Sequence, residues 1–231
     1  MKKNIAIIFA RGGSKGLPKK NIKCINHKPL IAYSIMAAKA VKAIDEIYVS
    51  SDDDEILSIA KLYGACLIKR PDHLASDTSP EWLSWQHAIE QIKLIDGKFD
   101  ILISIPTTSP LREPEDIENC ILRLQESKAD VCITVTKANR NPHFNMVKKN
   151  KDGFCELFSS PESQISRRQD APVAYDITTV AYAANVDFVM KSKGLFDGQV
   201  TSICIPKERS IDIDDAFDFK IAKLLLESGE R

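Results

Sequence analysis

The chain has 231 residues, of which 44% are hydrophobic and 28% are charged, a composition typical of a globular protein and not of a disordered one. Its 32 basic and 32 acidic residues cancel, so we expect no global electric field that would attract nucleic acid or an anionic membrane. No run reaches the roughly 18 consecutive apolar residues of a membrane span, and the apolar run at 5–10 is too short for a signal peptide. We therefore expect a cytoplasmic protein with neither a nucleic-acid partner nor a membrane partner.

Apolar runs and amphipathic segments alternate along the chain. The patterns predict strands at 5–10, 46–51, 65–69, 100–105, 130–136, 176–184 and 203–205, and helices at 29–43, 54–63, 80–94, 116–127 and 215–226. This alternation indicates an α/β fold, with a doubly wound, mostly parallel, Rossmann-like sheet in a single domain over residues 1–231.

The segment from 137 to 174 interrupts this alternation. It is polar and rich in turn residues, and it becomes basic at Arg167-Arg168. We interpret it as an excursion from the sheet that forms either a lid or a subunit contact.

Ligands in such sheets bind outside the carboxyl ends of the strands. That rule places the loops after residues 10, 51, 105 and 136 around one site. The first of these loops runs Arg-Gly-Gly-Ser-Lys-Gly-Leu-Pro-Lys-Lys-Asn from Arg11 to Asn21. Its glycines allow backbone N–H groups to face an anion, and Arg11, Lys15 and Lys20 add positive charge. We therefore predict a triphosphate site, although the loop is neither a GxGxxG motif nor a GK[ST] P-loop. The alternative is a glycine-rich turn with solvated lysines.

Further blocks follow this loop in a fixed order. They are Ser50-Ser-Asp-Asp-Asp-Glu-Ile56, Arg70-Pro-Asp-His-Leu-Ala-Ser-Asp-Thr78, Thr108-Ser-Pro-Leu-Arg112, Arg168-Gln169 and Ser210-Ile-Asp-Ile-Asp214. Together with Arg11-Gly-Gly-Ser-Lys-Gly16, they resemble the motifs of the CMP-sialic acid synthetases over about 200 residues. The resemblance implies the nucleotidyltransferase, GT-A-like version of the fold, and an enzyme that joins CTP to an acidic nonulosonic sugar with release of pyrophosphate. It also implies a homodimer in which the excursion completes the partner's sugar pocket.

The resemblance assigns roles to individual residues. Those expected to bind the nucleotide are Arg11, Gly12, Gly13, Ser14, Lys15, Lys20, Asn21, Arg70 and Ser79. Those expected at the sugar are Arg168, Gln169, Thr178 and Tyr182, and those expected to be catalytic are Arg11, Lys15, Lys20 and Asp214. Tyr182 could instead be a core residue of its strand, and Arg112 could either fix its loop or contact substrate.

Asp212 and Asp214 alternate along an extended segment, so both carboxylates face the same side. Such a pair beside a triphosphate suits Mg²⁺, which binds through one or two carboxylates and substrate phosphates. The family's metal-binding aspartates match these positions. Asp214 or Asp215 could alternatively cap the last helix.

Two departures from the sialic-acid members concern the sugar. Pro106-Thr107 replaces a Gln-Pro pair, and Thr178-Thr179 replaces an Asn-Gly pair, whereas the segment 140–145 resembles that of enzymes for legionaminic-type sugars. The acceptor could therefore be a legionaminic, pseudaminic, deaminated or KDO-like acid. A non-catalytic nucleotide- or sugar-binding protein on the same scaffold is the alternative from another class.

Overall fold

The computed structural model describes residues 2–159 and 167–229. The strands are β1 (Asn4–Phe9), β2 (Cys24–Ile25), β3 (Lys28–Pro29), β4 (Glu46–Ser51), β5 (Cys66–Lys69), β6 (Ile101–Ser104), β7 (Val131–Lys137), β8 (Val147–Lys149), β9 (Cys155–Leu157), β10 (Tyr175–Asn185) and β11 (Val200–Cys204). The helices are α1 (Leu30–Ala40), α2 (Asp54–Leu62), α3 (Glu81–Ile95), α4 (Pro114–Glu126), α5 (Val186–Lys191) and α6 (Ala216–Ser228). The predicted elements are all present with ends shifted by a few residues, whereas α5 and the short ribbons β2–β3 and β8–β9 were not predicted.

Seven strands form one sheet in the order β11-β7-β10-β6-β1-β4-β5. Strand β10 runs antiparallel to both of its neighbours, β6 and β7, and the other pairings in this sheet are parallel. The predicted mostly parallel α/β sheet is confirmed. The insertion of β10 between β6 and β7 was not predicted, and it moves the end of β7 one strand further from β1.

Helices cover both faces of the sheet because the strands are apolar on both sides. Along β1, Ala6 and Ile8 pack with α1, α2 and α4, whereas Ile5 and Ile7 pack with α3 and α5. Strands that are buried on both faces have continuous apolar sequences, and this pattern predicted the strands of the sheet.

A third cluster attaches the last helix to the loops at the carboxyl edge of the sheet. Phe219 of α6 packs with Leu17, Leu111 and Ile213, and the Ile213 side chain is fully buried. This cluster fixes the extended segment before α6 against the glycine-rich loop.

The predicted excursion does leave the sheet. It contains the ribbon β8–β9, and Met146, Val147, Phe154 and Phe158 expose apolar side chains on and beside this ribbon. Residues 160–166 of the excursion lie outside the described ranges. Its role as a lid or a subunit contact stays a prediction.

Candidate active site

A cleft of about 530 Å³ lies at the carboxyl ends of β1 and β6 and beside the middle of β10. Segments within 9–21, 70–84, 106–108, 179–182 and 212–214 line it. The predicted site residues that line this cleft are Arg11, Ser14, Lys15, Lys20, Asn21, Arg70, Ser79, Tyr182, Asp212 and Asp214. The carboxyl ends of parallel strands thus bring residues from distant parts of the chain together, as expected for this fold.

Two of the four loops expected around the cleft line it, those after residues 10 and 105. The loop after residue 51 supports the first of them through Asp52. The loop after residue 136 lines a different cavity, since β10 separates β7 from β6. The expectation that all four loops surround one site was therefore wrong for the fourth.

Gly12 supports the glycine-rich loop. Neither Gly12 nor Gly13 lines the cleft. The Gly12 backbone N–H donates to Asp52 Oδ1 at 3.0 Å. A Cβ atom at Gly12 would lie 2.7 Å from Asp53 Oδ2, and Asp53 is the N-cap of α2. Close approach to the start of α2 is the physical reason for glycine at position 12.

Gly16 and Lys20 join the loop to the segment that carries the two aspartates. A Cβ atom at Gly16 would collide with the carbonyl oxygen of Asp214. Lys20 Nζ donates to the Ile213 carbonyl at 2.7 Å and lies 3.6 Å from Asp214 Oδ1. The Ile213 backbone N–H donates to the Thr108 carbonyl at 2.9 Å. Both polar backbone groups of Ile213 are therefore occupied, which fixes the direction of its neighbours Asp212 and Asp214.

Asn21 connects two loops of the cleft. Its side-chain Nδ2 donates to the Arg11 carbonyl at 2.8 Å, and its Oδ1 accepts a hydrogen bond from the Thr107 hydroxyl. The Asn21 residue is buried. Its polar atoms hold the glycine-rich loop beside the loop that follows β6.

Two cations of the glycine-rich loop share one carboxylate. Asp77 Oδ2 lies 2.6 Å from Lys15 Nζ, and Asp77 Oδ1 lies 3.1 Å from Arg11 Nη1. The hydrogen bond from Lys15 holds the pKa of the Asp77 carboxyl below its usual value. The pairing was not predicted, although Asp77 stands in the Arg70–Thr78 block.

Arg70 and Ser79 form a buried polar corner of the cleft. Arg70 Nη2 donates to the Ser50 carbonyl at 2.6 Å, and its guanidinium lies 5.9 Å from the centroid of the Phe9 ring. Burial lowers the Arg70 pKa from its usual value. Arg70 Nε and Ser79 Oγ are buried and have no hydrogen-bond partner within the described ranges. Such atoms are costly unless something bonds to them, so they suit the polar edge of a ligand.

Tyr182 packs against the core and also lines the cleft, and its expected role at the sugar stays a prediction. Its ring packs edge-to-face on Trp85 with centroids 6.1 Å apart, and the residue also lines the cleft. Burial raises the pKa of its phenol, so the hydroxyl keeps its proton near neutral pH.

The structure places Thr179, and not Thr178, at the cleft. Thr178 is buried, and its hydroxyl donates to Thr134 Oγ1 at 2.7 Å. The pairing of β10 with β7 is irregular between Ile177 and Tyr182, and a shift of one residue reverses which side chain faces the cleft. The Thr179 hydroxyl is 3.0 Å from Thr108 Oγ1 and 2.7 Å from Ser109 Oγ. Thr178 therefore does not line this cleft, and its expected role at the sugar stays a prediction.

Arg112 fixes its loop, which is the first of the two roles considered for it. Its guanidinium donates to the carbonyl oxygens of Pro106, Thr179 and Val180, and to the Ser34 hydroxyl. The side chain is buried, and burial lowers its pKa to about 9. It holds the loop after β6 against β10.

Asp212 and Asp214 both line the cleft, as the extended segment predicted. Asp212 Oδ1 is buried and has no hydrogen-bond partner among the described residues, whereas the Asp214 side chain is 79% exposed. Asp215 is the N-cap of α6, since its carboxylate accepts from the backbone N–H groups of Phe217 and Asp218. The capping role considered for Asp214 therefore belongs to its neighbour.

The donor set at these aspartates fits Mg²⁺. A buried carboxylate oxygen without a partner is stabilised by a cation, and an exposed carboxylate two residues away can share it. No group of three or more His, Cys, Asp or Glu side chains in the described ranges is arranged to hold a metal by itself. Such a site would therefore need further oxygen ligands from substrate phosphates or water.

The segment that carries Asp212 and Asp214 is also held in place just before it begins. The contact that holds it was not predicted from the sequence. Arg209 binds Asp116 through two hydrogen bonds, of 2.9 and 2.7 Å. Asp116 is buried, and it also accepts from the Glu113 backbone N–H in the capping box of α4. The partners are 93 residues apart, so no local pattern could have revealed them.

Arg168 and Gln169 lie apart from this cleft. They line a second cavity of about 810 Å³ together with Lys137, Arg140 and Lys207. The predicted sugar-binding residues are therefore divided between two cavities of the same chain, and their role stays a prediction.

None of the helices in the described part of the chain combines the length and the apolar character needed to cross a bilayer. The cytoplasmic location stays a prediction.

Comparisons with known proteins identify the family of the chain. The cytidylyltransferase family model matches residues 5–215. The chain is 34% identical to the CMP-N,N'-diacetyllegionaminic acid synthase of Campylobacter jejuni, with 96% of this chain and 94% of that protein covered. It is also 34% identical to the post-translational flagellin modification protein B of Campylobacter coli, with 98% and 96% covered.

A third relative is more distant. The N-acylneuraminate cytidylyltransferase of Escherichia coli is 29% identical over 99% of this chain, which spans 53% of that protein. Among solved structures, a CMP:2-keto-3-deoxy-manno-octonic acid synthetase complexed with CTP superposes with a TM-score of 0.73 at 17% identity, covering 98% of this chain and 99% of that one, and supports the fold. The similarity to CMP-sialic acid synthetases inferred from the motifs is confirmed, and the chain belongs to the cytidylyltransferase family.

Proposed function

We propose that the protein transfers CMP from CTP to the anomeric hydroxyl of a sialic-acid-type nonulosonic acid, giving the CMP-sugar and pyrophosphate. The observation that carries this proposal is one cleft lined both by cations of the glycine-rich loop and by Asp212 and Asp214. A triphosphate needs cationic donors for its oxygens, and carboxylates beside it provide for a divalent ion. The legionaminic acid synthase of Campylobacter jejuni and the N-acylneuraminate cytidylyltransferase of Escherichia coli are named for this type of activity.

Arg70 and Ser79 suit the cytosine base. Cytosine presents a carbonyl oxygen and a ring nitrogen as acceptors and an amino group as donor. Arg70 Nε can donate to the acceptors, and Ser79 Oγ can donate or accept. The Phe9 ring beside the Arg70 guanidinium adds an apolar surface at the same corner.

Asp212 and Asp214 are the residues that would hold Mg²⁺. The ion would neutralise charge on the phosphate oxygens of CTP when bound. Asp212 offers a buried oxygen that has no other described partner, and Lys20 keeps the backbone between the two aspartates in place.

The reaction needs positioning and charge neutralisation more than a nucleophilic side chain. The sugar hydroxyl loses its proton and its oxygen forms a bond to the α-phosphorus. The bond from that phosphorus to the bridging oxygen of the β-phosphate breaks, and pyrophosphate leaves with the electron pair. Arg11 and Lys15 line the cleft and would bind the charge that develops on the leaving group.

We infer that the acceptor binds against Tyr182 and Thr179. The Thr179 hydroxyl lies within hydrogen-bond distance of the hydroxyl groups of both Thr108 and Ser109 beside the cleft. Hydroxyl groups of this kind can bond to the hydroxyl and acylamino groups of a nonulosonic acid. The higher identity to the legionaminic acid synthase than to the N-acylneuraminate enzyme favours a legionaminic-type acceptor within this class.

The decisive experiment incubates the protein with CTP, Mg²⁺ and a panel of sialic, legionaminic, pseudaminic and octulosonic acids, and measures pyrophosphate release. Release with at least one nonulosonic acid, and a CMP-sugar product by mass spectrometry, is the expected result. Binding of CTP without release for any sugar would favour the non-catalytic binding protein instead.

We further propose a homodimer in which Arg168 and Gln169 serve the sugar pocket of the partner. Their separation from the cleft of their own chain and the exposed apolar side chains of the β8–β9 ribbon support this arrangement. A 1:1 mixture of Asp214→Ala and Arg168→Ala subunits tests it. If each active site uses Asp214 of one subunit and Arg168 of the other, random mixing restores about a quarter of wild-type activity. No recovery in the mixture, or a monomeric mass with full activity, contradicts the shared site.

A further inference from the structure

Asp77 is placed on the two cations that the triphosphate would use. Its two carboxylate oxygens contact different side chains, Lys15 at 2.6 Å and Arg11 at 3.1 Å. The neighbouring Ser76 carbonyl also accepts from Arg11 Nη1 at 3.3 Å. Asp77 therefore bridges two cations that lie four residues apart on the loop, as a phosphate group would.

The geometry of Asp77 also permits its displacement. Its side chain is 44% exposed and the Lys15 side chain is 77% exposed, and ion pairs of this exposure are weak. Asp77 lies in the connection between β5 and α3. A polyphosphate carries several anionic oxygens and can replace a single carboxylate on the same donors.

The pairing of Arg11 and Lys15 differs from that of Lys20, another cation of the same loop. The Lys20 side chain is only 15% exposed and its Nζ donates to a backbone carbonyl, so Lys20 exchanges its partner less readily than Arg11 and Lys15. Arg11 and Lys15 carry the exchangeable contacts.

We propose that Asp77 competes with phosphate oxygens for Arg11 and Lys15, and that this competition promotes the release of pyrophosphate after CMP transfer. The inference rests on the proposed function. Before CMP transfer, the bond between the α- and β-phosphates is intact and CTP is also held at its base. The triphosphate then readily displaces Asp77. Once that bond is broken, pyrophosphate has only its own oxygens to hold it, and the carboxylate can recover both cations.

The opposite role for Asp77 makes the opposite prediction. A carboxylate that only oriented Arg11 and Lys15 for the ligand would improve binding, and its removal would weaken the affinity for pyrophosphate. A carboxylate that competes lowers the affinity, and its removal strengthens it.

The test measures binding of inorganic pyrophosphate by calorimetry, in EDTA so that only protein groups contribute. The variants are Asp77→Asn, Asp77→Ala and the control Asp72→Asn, which removes one negative charge from an exposed residue of the same connection that does not line the cleft. Competition predicts that both Asp77 variants bind pyrophosphate roughly three- to tenfold more tightly than wild type, with Asp72→Asn unchanged. In turnover assays the Asp77 variants should show stronger product inhibition by pyrophosphate.

Equal or weaker pyrophosphate binding by both Asp77 variants overturns the inference. An equal gain in Asp72→Asn would assign the effect to net charge and overturn it as well. Failure of the proposed function is seen separately, because wild type would then release no pyrophosphate from CTP with any acid of the sugar panel, whereas the competition by Asp77 is measured by pyrophosphate binding alone. Circular dichroism of each variant checks that the fold is retained.

Discussion

Lys20 Nζ donates a hydrogen bond to the carbonyl oxygen of Ile213 at 2.7 Å, across 193 residues of sequence. This bond and the contact of Gly16 with the Asp214 backbone make the glycine-rich loop and the aspartate segment one structural unit. The cations of this loop and the carboxylates of Asp212 and Asp214 are therefore held at a fixed separation. Substitutions at this junction are expected to affect stability and activity together.

Gly16→Ala is expected to lower the free energy of unfolding by about 1–3 kcal/mol, since the new Cβ displaces the backbone of Asp214. Gly13→Ala is the matched control, because no described atom lies within 4 Å of a Cβ atom added there. Urea denaturation of both variants measures the difference. Equal stability of the two would contradict the close approach at Gly16.

Asp214→Ala and Asp215→Ala should have separate effects. Asp214 is exposed in the cleft, so its loss should reduce turnover by at least about 100-fold with little change in Tm. Asp215 caps α6, so its loss should lower Tm by a few degrees and leave most of the activity. Near-normal turnover of Asp214→Ala would rule out the metal assignment.

The Asp215 cap also makes the stability of the folded protein depend on pH. Backbone N–H groups of Asp218 and Phe217 donate to its carboxylate and hold its pKa below the usual value. Because the carboxyl has a lower pKa in the folded state than in the unfolded state, its ionised form stabilises the fold at pH values above the unfolded pKa of about 3.9. This stabilisation is lost as the pH falls through the folded-state pKa. The Tm difference between wild type and Asp215→Asn should therefore be constant from pH 7 to pH 5 and change below about pH 4. A difference that stays constant down to pH 3 would count against this titration.

Arg209→Gln should leave the buried Asp116 carboxylate without its bidentate partner. We expect a loss of about 2–4 kcal/mol in the free energy of unfolding, and a lower kcat because the segment leading to Asp212 loses its first attachment. The double variant with Asp116→Asn should be more stable than Arg209→Gln alone, since no unpaired charge remains. A double-mutant cycle by urea denaturation measures this coupling.

The parts of the site that the sequence could predict are those whose chemistry is local. Glycines and cations lie within eleven residues in the Arg11–Asn21 loop, and the alternation of Asp212 and Asp214 follows from an extended backbone. The antiparallel insertion of β10 could not be predicted, because a strand more than 35 residues after β7 enters the sheet between β7 and β6. The pairs Arg11–Asp77 and Arg209–Asp116 likewise depend on tertiary contacts between distant segments.

Thr178 and Thr179 are adjacent residues with different environments, and this contrast provides the last prediction. Thr178→Val removes a hydroxyl that donates to the buried Thr134 Oγ1, so it should cost about 1–3 kcal/mol of stability without changing the KM for the sugar. Thr179→Val removes a hydroxyl from the cleft, so it should raise that KM severalfold or shift the preference within the sugar panel, in addition to the stability it loses with its bonds to Thr108 and Ser109. Steady-state kinetics with CTP held at saturation, combined with urea denaturation, separates the two effects. If Thr178→Val alters sugar selectivity and Thr179→Val does not, the assignment of Thr179 to the acceptor side is wrong.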